Sequence, residues 1–322
     1  MLAVEAQRTG GPEVLEVVDR PVPEPGPGQL RVRHHAIGLN FIDTYMRTGL
    51  YPMRMPAVLG QEGAGVVDAV GEGVAGWSAG DRVAYSGQTG AYAEQHLVAA
   101  ARAVRLPRDI SFEVAAASLL KGMTAEFLLR RCYPLKAGEP VLIHAAAGGV
   151  GSILVQWAKA IGAVTIGTVG SPEKAEHARR DGCDHVILYR TEDVAARVRE
   201  ITAGAGAPVV YDSVGKDTFE GSLASLARRG MLVSFGNASG PAPAIEPLRL
   251  SRGGSLFLTR PTLFDYIATP EELAESAGAL FDVIRSGAVK IEIGQTFPLR
   301  EARRAHEALE GRQTIGASLL LP

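Results

Sequence analysis

Val141-Leu-Ile-His-Ala-Ala-Ala-Gly-Gly-Val-Gly151 is the stretch that decides the fold of this chain. Its apolar start, through His144, predicts a buried strand, and residues 152–161 repeat apolar side chains at helical spacing. A glycine turn that follows a strand and opens a helix is typical of dinucleotide-binding βαβ units, because the backbone can approach a pyrophosphate at the helix N-terminus. Ala146 replaces the first glycine of G-x-G-x-x-G, so the motif is informative only in this strand–helix context.

The sequence after this turn continues to alternate between strands and helices. Strands are predicted at 164–169, 186–188, 208–212, 231–235 and 255–259, and helices near 172–181, 192–202 and 219–226. Near-continuous apolar strands that alternate with helices predict a doubly wound parallel sheet.

The two ends of the chain differ from the middle in the pattern of their predicted elements, and we expect them to form one domain. Short apolar or alternating runs at 30–37, 63–70, 81–84 and 91–98 predict a β-rich first third. Helices near 271–286 and 300–311 and strands at 289–293 and 317–321 make up the tail. We therefore expect a Rossmann domain, residues 123–264, inserted between the two parts of another domain, residues 1–122 and 265–322.

The strand after the glycine turn ends without an acidic residue. A site that prefers NAD places Asp or Glu about 20 residues beyond the glycines to bind the ribose 2′-hydroxyl. Here Val169 is followed by Gly170-Ser171-Pro172-Glu173-Lys174, and we expect Glu173 to point along the first helical turn. The Ser171 hydroxyl can donate to a 2′-phosphate and Lys174 can offer it a positive charge. This pattern predicts NADPH as the cofactor, although Lys174 alone also fits an ordinary exposed lysine.

Composition argues against several functional classes. The chain has 322 residues, 46% hydrophobic and 21% charged, with a net charge of -2, so nucleic acid and anionic membranes are not expected partners. No uncharged apolar run approaches the roughly 18 residues of a membrane span. Cys132 and Cys183 lack C-x-x-C spacing, which argues against a disulfide framework or structural zinc. The first residues do not resemble a secretory signal, and we expect a cytoplasmic protein.

Eight short segments together resemble a known family. They are Gly11-Pro-Glu-Val-Leu15, Gly38-Leu-Asn-Phe-Ile-Asp-Thr-Tyr45, Gly49-Leu-Tyr-Pro52, Gly80-Asp-Arg-Val83, Lys121-Gly-Met-Thr124, the segment from His144 to Gly151, Val210-Tyr-Asp-Ser-Val-Gly215 and Ser234-Phe-Gly-Asn237. Over essentially its full length the chain resembles the quinone oxidoreductases related to zeta-crystallin, within the medium-chain dehydrogenase/reductase superfamily. The resemblance implies an α/β fold with a GroES-like β-rich catalytic domain plus a Rossmann domain, and it implies a homodimer.

The resemblance also assigns site residues. It implies that Asn40 and Tyr45 lie near the nicotinamide and that Tyr51 shapes the quinone pocket, and we predict these three residues as the catalytic ones. The cofactor contacts that it implies are Phe41, Thr124, Phe127 and Pro261 near the nicotinamide, Gly148, Gly149 and Val150 at the pyrophosphate, Gly170, Ser171, Lys174 and Tyr189 at the 2′-phosphate side, and Asn237 and Ser239 at a strand end.

The likeness departs from the zinc-dependent relatives at two positions. In those relatives a Cys stands in place of Asn40 and a His precedes the Glu of Gly-His-Glu, which here is Gly60-Gln61-Glu62. Neutral amides are poor zinc ligands, so we expect no metal and a structural hydrogen-bonding role for Glu62. Quinones are electron-poor acceptors, and donors such as Asn40, Tyr45 or Tyr51 can stabilise the charge that develops on the quinone oxygen. The alternative for the tyrosines is half-buried packing.

The resulting prediction is an NADPH-dependent quinone reductase that transfers hydride or electrons from the nicotinamide without zinc or flavin. Two alternatives stay open. One is an NADPH-dependent enoyl or 2-alkenal reductase with the same fold. The other is a non-catalytic nucleotide- or RNA-binding protein like the crystallin relatives, against which the -2 charge and the lack of a basic–aromatic stretch argue. His34 and His35, as strand neighbours, are expected on opposite faces, and His144 is expected in the core.

Overall fold

The computed structural model describes residues 1–322. Its strands are β1 Leu2–Ala6, β2 Leu15–Asp19, β3 Gln29–Leu39, β4 Ala57–Val58, β5 Glu62–Val70, β6 Arg82–Ser86, β7 Gln95–Ala99, β8 Ala103–Arg105, β9 Pro140–Ile143, β10 Val164–Val169, β11 His185–Leu188, β12 Ala207–Asp212, β13 Leu226–Ser234, β14 Phe257–Thr259, β15 Ile293–Pro298 and β16 Ala317–Leu321. Its helices are α1 Phe41–Thr48, α2 Phe112–Phe127, α3 Gly149–Ile161, α4 Pro172–Arg180, α5 Val194–Ile201, α6 Phe219–Ser225, α7 Pro247–Arg252, α8 Leu263–Tyr266, α9 Pro270–Arg285 and α10 Ala302–Glu310.

The chain forms two compact units. The first unit comprises Met1–Met123, Ile267–Phe281 and Ile291–Pro322, and the second comprises Thr124–Tyr266 and Asp282–Lys290. The main boundaries lie within two residues of those expected from the sequence, whereas Asp282–Lys290 belongs to the second unit. The side chain of Gln156 explains part of this difference, because it donates to the Lys290 carbonyl at 3.1 Å and accepts from the Lys290 amide at 2.8 Å.

The second unit is built on a six-stranded sheet in the order β11-β10-β9-β12-β13-β14. Every neighbouring pair in it is parallel. Counted from β9, this is the order 3-2-1-4-5-6 of a dinucleotide-binding doubly wound sheet. Apolar side chains of the central strands, including Leu142, Ile166, Val210 and Leu232, form its core. The predicted Rossmann domain is confirmed.

The first unit contains a mixed sheet and a smaller three-stranded one. The mixed sheet runs β15-β16-β3-β5-β6-β8, with β7 also paired to β3, and the small sheet runs β2-β1-β4. Only β15 and β16 pair in parallel. Strand β3 buries Leu30, Val32 and His34 on alternate positions and then every residue from Ala36 onward. This antiparallel, β-rich unit built from both chain ends agrees with the expected GroES-like domain.

Several elements differ from the sequence-based expectation. The strand expected at 289–293 was wrong: β15 spans Ile293–Pro298, because its pairing register with β16 runs from Ala317 to Leu321. Helices α1 and α2 and strands β1 and β2 were not predicted. Helix α2 is apolar on nearly every side, so it lacks the polar face that reveals a surface helix. No helix of the structure combines the length and apolarity needed to cross a bilayer.

Candidate active site

Most residues expected to bind a cofactor follow the carboxyl ends of strands in the second unit. They are Gly148, Gly149 and Val150 after β9, Gly170, Ser171 and Lys174 after β10, Tyr189 after β11, Asn237 and Ser239 after β13, and Pro261 after β14. Parallel strands present their carboxyl ends at one edge, so the fold brings these residues to the same edge. The strand order reverses between β9 and β12, and ligands of open α/β sheets bind at such a point.

The turn between β9 and α3 fits a pyrophosphate at a helix N-terminus. Ala145 has a φ of 52°, a conformation that costs free energy in alanine and that clusters at ligand sites. Gly148 caps α3 with extended backbone and no side-chain hydrogen bond, so the first N–H groups of α3 lack an intrahelical partner. A Cβ added at Gly151 would lie 2.8 Å from the Ala145 carbonyl carbon and closer still to its oxygen. Glycine is therefore required at position 151.

The missing first glycine of the fingerprint is compensated on the neighbouring strand. Ala146 is fully buried, and its methyl group lies against Gly167 of β10. A Cβ added at Gly167 would be 2.7 Å from the Ala146 Cβ and 2.8 Å from the Cys183 sulfur. The extra methyl of Ala146 thus occupies space that Gly167 leaves open, and the turn keeps its close approach.

The residues expected around the 2′-phosphate lie together at the start of α4. Ser171 is the N-cap, and its Oγ accepts from the Lys174 amide at 3.3 Å, which leaves the hydroxyl hydrogen to donate. A Cβ at Gly170 would lie 2.6 Å from the Tyr189 hydroxyl oxygen, so the phenol packs over that glycine. Ser171, Lys174 and Tyr189 are half-buried, whereas Glu173 is exposed. No carboxylate therefore occupies the end of β10.

Asn237 connects the segments that follow β13 and β14. In the amide orientation that satisfies both of its ends, its nitrogen donates to the Gly236 carbonyl at 3.0 Å and its oxygen accepts from Arg260 at 3.2 Å. Arg260 immediately precedes Pro261. This bond holds both segments at the carboxyl edge of the sheet.

Two of the residues expected to contact the cofactor, Ser239 and Phe127, already use their side chains in contacts within the protein. The Ser239 hydroxyl donates to the Val214 carbonyl at 2.9 Å, which joins the segment after β13 to the segment after β12. The Phe127 ring is buried and stacks on Tyr266 with ring centroids 4.4 Å apart. Thr124, one turn earlier on α2, is also buried. These contacts give Ser239 and Phe127 structural roles in this arrangement.

His144 lies in a buried polar network that ties the sheet to α6. Its Nδ1 is 2.9 Å from the Thr168 hydroxyl and its Nε2 is 2.9 Å from the Ser222 hydroxyl. Ser222 in turn donates to Asp212 at 2.7 Å. Burial lowers the pKa of His144, so it is neutral here. The expected core role of His144 is confirmed.

In the first unit, Asn40 belongs to a buried polar cluster around Glu62. One carboxylate oxygen of Glu62 accepts from Asn40 Nδ2 at 2.9 Å and from Lys121 Nζ at 3.0 Å, and the other accepts from the Leu120 amide at 2.6 Å. A Cβ at Gly38 would collide with this carboxylate. The structural role expected for Glu62 is consistent with these bonds. The sequence predicted no role for Lys121, and the one signal that could have pointed to it was its place in the Lys121–Thr124 motif.

The aromatic residues expected at the substrate end lie on α1 and just after it. Tyr45 and Tyr51 pack edge to face with ring centroids 5.2 Å apart, and the Tyr51 amide donates to the Tyr45 carbonyl at 3.0 Å. Phe41 lies 6.2 Å from Tyr45, centroid to centroid. Tyr45 is buried and Tyr51 is half-buried. The structure thus brings Phe41, Tyr45 and Tyr51 together on the helix that Asn40 begins.

A second buried network, which the sequence did not predict, holds α1 through hydrogen bonds to α10 and Tyr92. Arg47 is 2.9 Å from His306 Nδ1 and 2.7 Å from Glu310, His306 Nε2 is 2.9 Å from the Tyr92 hydroxyl, and Tyr92 donates to Asp43 at 3.0 Å. Arginine can only donate, so Nδ1 of His306 accepts and its Nε2 carries the proton. Hydrogen bonds therefore run in one direction, from Arg47 through His306 and Tyr92 to Asp43.

Asp43 makes stability depend on pH. Burial raises its pKa to about 7, so between about pH 4 and pH 7 the folded chain retains a proton that the unfolded chain releases. The free energy of unfolding therefore falls as the pH rises through this window. In Asp43→Asn this loss should disappear, so the stability of the variant relative to wild type should rise by on the order of 4 kcal/mol between pH 4 and pH 8. Thermal unfolding from pH 4 to pH 8 measures this difference.

Asp19→Asn is the matched control, because Asp19 lies in the same unit with a side chain that is 99% exposed. Its difference from wild type should be flat across the same pH range. A flat difference for Asp43→Asn as well would show that Asp43 is ionised in the folded chain throughout.

The residues present do not fit a catalytic zinc. Asn40 Nδ2 is turned toward Glu62, and Gln61 donates its side-chain amide to Thr89 and, at 3.1 Å, to the sulfur of Met46. No group of three His, Cys, Asp or Glu side chains lies close enough to hold a metal ion. The donor set around Glu62 consists of amides and an ammonium, which is the reverse of what a cation needs.

Comparisons with known proteins give a family match in each of the two units. The chain matches the family described as alcohol dehydrogenase GroES-like domain over residues 26–108 and the one described as zinc-binding dehydrogenase over residues 149–280. A quinone oxidoreductase from Pseudomonas aeruginosa is 56% identical, with 97% of each chain covered. A 2-haloacrylate reductase from a Burkholderia species is 46% identical, over 100% of this chain and 99% of the relative.

A solved structure extends this agreement to the fold. The crystal structure of an Escherichia coli quinone oxidoreductase complexed with NADPH superposes with a TM-score of 0.98 at 51% identity and covers 100% of both chains. The resemblance read from the short motifs is therefore confirmed. The chain belongs to the quinone oxidoreductases of the medium-chain dehydrogenase/reductase superfamily.

Proposed function

We propose that this protein is an oxidoreductase that reduces quinones with NADPH. The observation that carries the proposal is the carboxyl edge of the parallel sheet, where a glycine turn opens α3 and the end of β10 offers Ser171 and Lys174 instead of a carboxylate. Relatives named quinone oxidoreductases, one of them solved with NADPH, support it. When bound, the nicotinamide supplies a hydride, so that quinone, hydride and one proton from solvent give a hydroquinone.

The second unit offers groups that would bind the pyrophosphate and the 2′-phosphate of the cofactor. Gly148, Gly149 and Val150 would hold the pyrophosphate at the start of α3, where backbone N–H groups and the helix dipole favour an anion. Ser171 and Lys174 would receive the 2′-phosphate, with Tyr189 beside them. Binding by backbone amides needs no side chain, which explains why the close packing at Gly151 matters more than the identity of its neighbours.

We further propose that the reaction uses no zinc. Support comes from Asn40 and Gln61, whose amides are already engaged with Glu62 and Thr89. Asn40 then acts as a positioning residue for the Glu62 cluster, rather than as the donor to the quinone suggested by the sequence alone. Tyr45 and Tyr51 remain the proposed contacts of the quinone ring, because their rings pack edge to face and together offer apolar surface with two hydroxyl groups.

The test of the function is oxidation of NADPH or NADH followed by absorbance, with 1,4-benzoquinone as the acceptor. We expect turnover that favours NADPH by about tenfold or more, as one charge-assisted contact to the 2′-phosphate implies. A metal chelator should leave the rate unchanged. Equal use of NADH would remove the role of Ser171 and Lys174, and loss of activity in chelator would overturn the zinc-free proposal.

A second candidate activity is reduction of an activated carbon–carbon double bond. The 46% identity to a 2-haloacrylate reductase favours it specifically. Such a substrate would deliver its developing charge to a carboxylate or carbonyl oxygen, as a quinone does. Comparing kcat/KM for 1,4-benzoquinone with that for 2-chloroacrylate separates the two, and faster turnover of 2-chloroacrylate would reverse our assignment.

We also propose a homodimer in which strand β14 of each copy meets the other. β14 is the edge strand of the parallel sheet, and Phe257 on it is 55% exposed. An open edge with an exposed aromatic residue favours pairing with a second strand. Light scattering after size exclusion should give twice the chain mass of 33.9 kDa, and Phe257→Lys should give the monomer mass.

The control for the dimer is Val17→Lys, which changes an equally exposed apolar residue on β2 of the first unit. It should leave the mass unchanged. A monomeric wild type, or a Phe257→Lys variant that stays dimeric, would contradict the proposed interface. Cys132 and Cys183 are both free thiols, which supports the cytoplasmic location that we propose.

A further inference from the structure

Lys121 on α2 is a buried ammonium group with too few acceptors. The residue is 5% exposed, and its one hydrogen-bond partner is Glu62, at 3.0 Å. An ammonium carries three donors, so two N–H groups have no acceptor in the protein. Leaving a buried charge short of hydrogen bonds is costly, and such groups persist where a ligand completes them.

The surroundings of Lys121 hold its charge in one place. The Glu62 carboxylate accepts from the Leu120 amide, Asn40 and Lys121 at once, and Gly38 leaves it the space to do so. Asn40 Nδ2 and Lys121 Nζ bond to the same oxygen, so Lys121 lies beside the residue that begins α1. That helix carries Tyr45, and Tyr51 packs on it. A fixed cation therefore lies at the start of the helix that carries the residues proposed to contact the quinone.

We propose that Lys121 is a catalytic residue whose ammonium donates a hydrogen bond to the carbonyl oxygen of the substrate. The inference rests on the proposed function and adds to it the group that stabilises the transition state. Asn40 and Glu62 act through Lys121 by fixing its position.

The chemistry explains why a cation belongs here. The transferred hydride brings two electrons and one hydrogen, which bonds to one quinone oxygen. Both C=O π bonds are lost as the ring becomes aromatic, and the opposite oxygen, which accepts from Lys121, becomes the phenolate of the hydroquinone monoanion. A proton from solvent then gives the neutral hydroquinone. Lys121 donates a hydrogen bond without transferring a proton and lowers the energy of the oxyanion, as a donor that Glu62 holds in place. The ion pair with Glu62 keeps the resting site neutral overall.

The variant that tests this is the double substitution Lys121→Met/Glu62→Gln. Lys121→Met alone would strand a buried carboxylate and could fail to fold, whereas the double variant removes both charges together. We expect kcat with 1,4-benzoquinone to fall by about 10²–10³, the usual effect of removing one oxyanion donor. NADPH affinity, measured by fluorescence, should stay within about twofold. Lys136→Met, an exposed lysine of the second unit, is the matched control and should leave both unchanged.

A series of acceptors separates charge stabilisation from a structural role. Methyl groups on benzoquinone make it a poorer acceptor, so a lost oxyanion donor should cost tetramethylbenzoquinone more than the parent compound. Loss of mere positioning should lower every rate by the same factor. A uniform factor, or an unchanged kcat in the folded double variant, would overturn the proposal.

Binding of 4-nitrophenol gives a readout that does not depend on turnover. Its phenolate resembles the product oxyanion and absorbs visible light, so its ionisation can be followed on the NADP⁺ complex. Lys121 should lower the pKa of the bound phenol in wild type relative to the double variant. This titration also distinguishes the two proposals: an enzyme inactive with every quinone would refute the function, while an unshifted phenol would refute the role of Lys121.

Discussion

Gly151→Ala is expected to abolish tight NADPH binding. The added Cβ would lie 2.8 Å from the Ala145 carbonyl carbon and 2.9 Å from the Ala146 Cα, which are both backbone atoms. Backbone cannot rotate away as a flexible side chain can, so the turn between β9 and α3 must shift. Such a shift weakens the hydrogen bonds from the turn to the pyrophosphate, each worth about 1.5–3 kcal/mol, and we expect the Kd for NADPH to rise by about 10²-fold in a fluorescence titration.

The same collision should also destabilise the second unit. Overpacking costs typically 1–3 kcal/mol, which corresponds to a fall in Tm of several degrees for a unit of this size. Gly221→Ala, on α6 of the same unit, has nothing within 4 Å of the added Cβ and should leave Tm and affinity near wild type. Unchanged NADPH affinity in Gly151→Ala would remove the glycine turn from the cofactor site.

Gly148→Ala completes this comparison, because Gly148 and Gly151 are expected to affect stability and affinity differently. A Cβ at Gly148 would meet only the Ala145 oxygen, at 3.2 Å. Its extended backbone tolerates any residue, so the variant should fold as wild type does. If position 148 faces the pyrophosphate as proposed, its affinity for NADPH should nevertheless fall. Stability and affinity would then separate at Gly148 and fall together at Gly151.

The parallel sheet was predictable because local patterns alone encode it. Each strand from β9 to β14 contains a short apolar run, and the glycine turn marks where the first strand ends and its helix begins. The alternation along β3 likewise placed His34 and His35 on opposite faces. The structure confirms this, since His34 bonds to Tyr85 at 2.8 Å in the core and exposed His35 stacks on Phe112.

Helix α2 shows where the local patterns fail. Its residues, Phe112 to Phe127, are buried on almost every side, so no polar stripe repeats along it. Lys121 is the one basic residue within it, and a periodicity argument would treat that charge as a marker of the exposed face. The structure buries it instead. A buried lysine can be understood only with its partner, and Glu62 lies 59 residues earlier in the chain.

The same limit explains why the site was only partly foreseen. Motifs identify residues that are expected to touch a common ligand, such as those proposed after β9 and β10, because such contacts recur at fixed spacing. They do not reveal pairs that meet through the fold. Arg47 and His306 are separated by 259 positions, and nothing in either local sequence points to the other. Asn40 changed its proposed role for this reason, since its partner became visible only in the structure.

Arg47→Met is expected to produce the largest loss of stability in the first unit. Arg47 is a buried arginine that donates to the Gly10 carbonyl at 3.1 Å, to His306 at 2.9 Å and to Glu310 at 2.7 Å. Methionine fills similar space but leaves these acceptors without a donor. Removing one partner of a buried charged pair typically costs 3–5 kcal/mol. Differential scanning calorimetry should show a fall in Tm of roughly 10 °C.

The control is Arg303→Met, on the same helix as His306. Arg303 is exposed and pairs with Glu307 at 3.0 Å on the helix surface, an arrangement worth only a few tenths of a kcal/mol. Its Tm should stay close to wild type. Because burial and the Arg47 charge lower the pKa of His306 to about 3, losing the guanidinium should also let His306 bind a proton at higher pH. The Tm deficit of Arg47→Met should then shrink below pH 6, and a deficit independent of pH would show that Arg47 acts through packing alone.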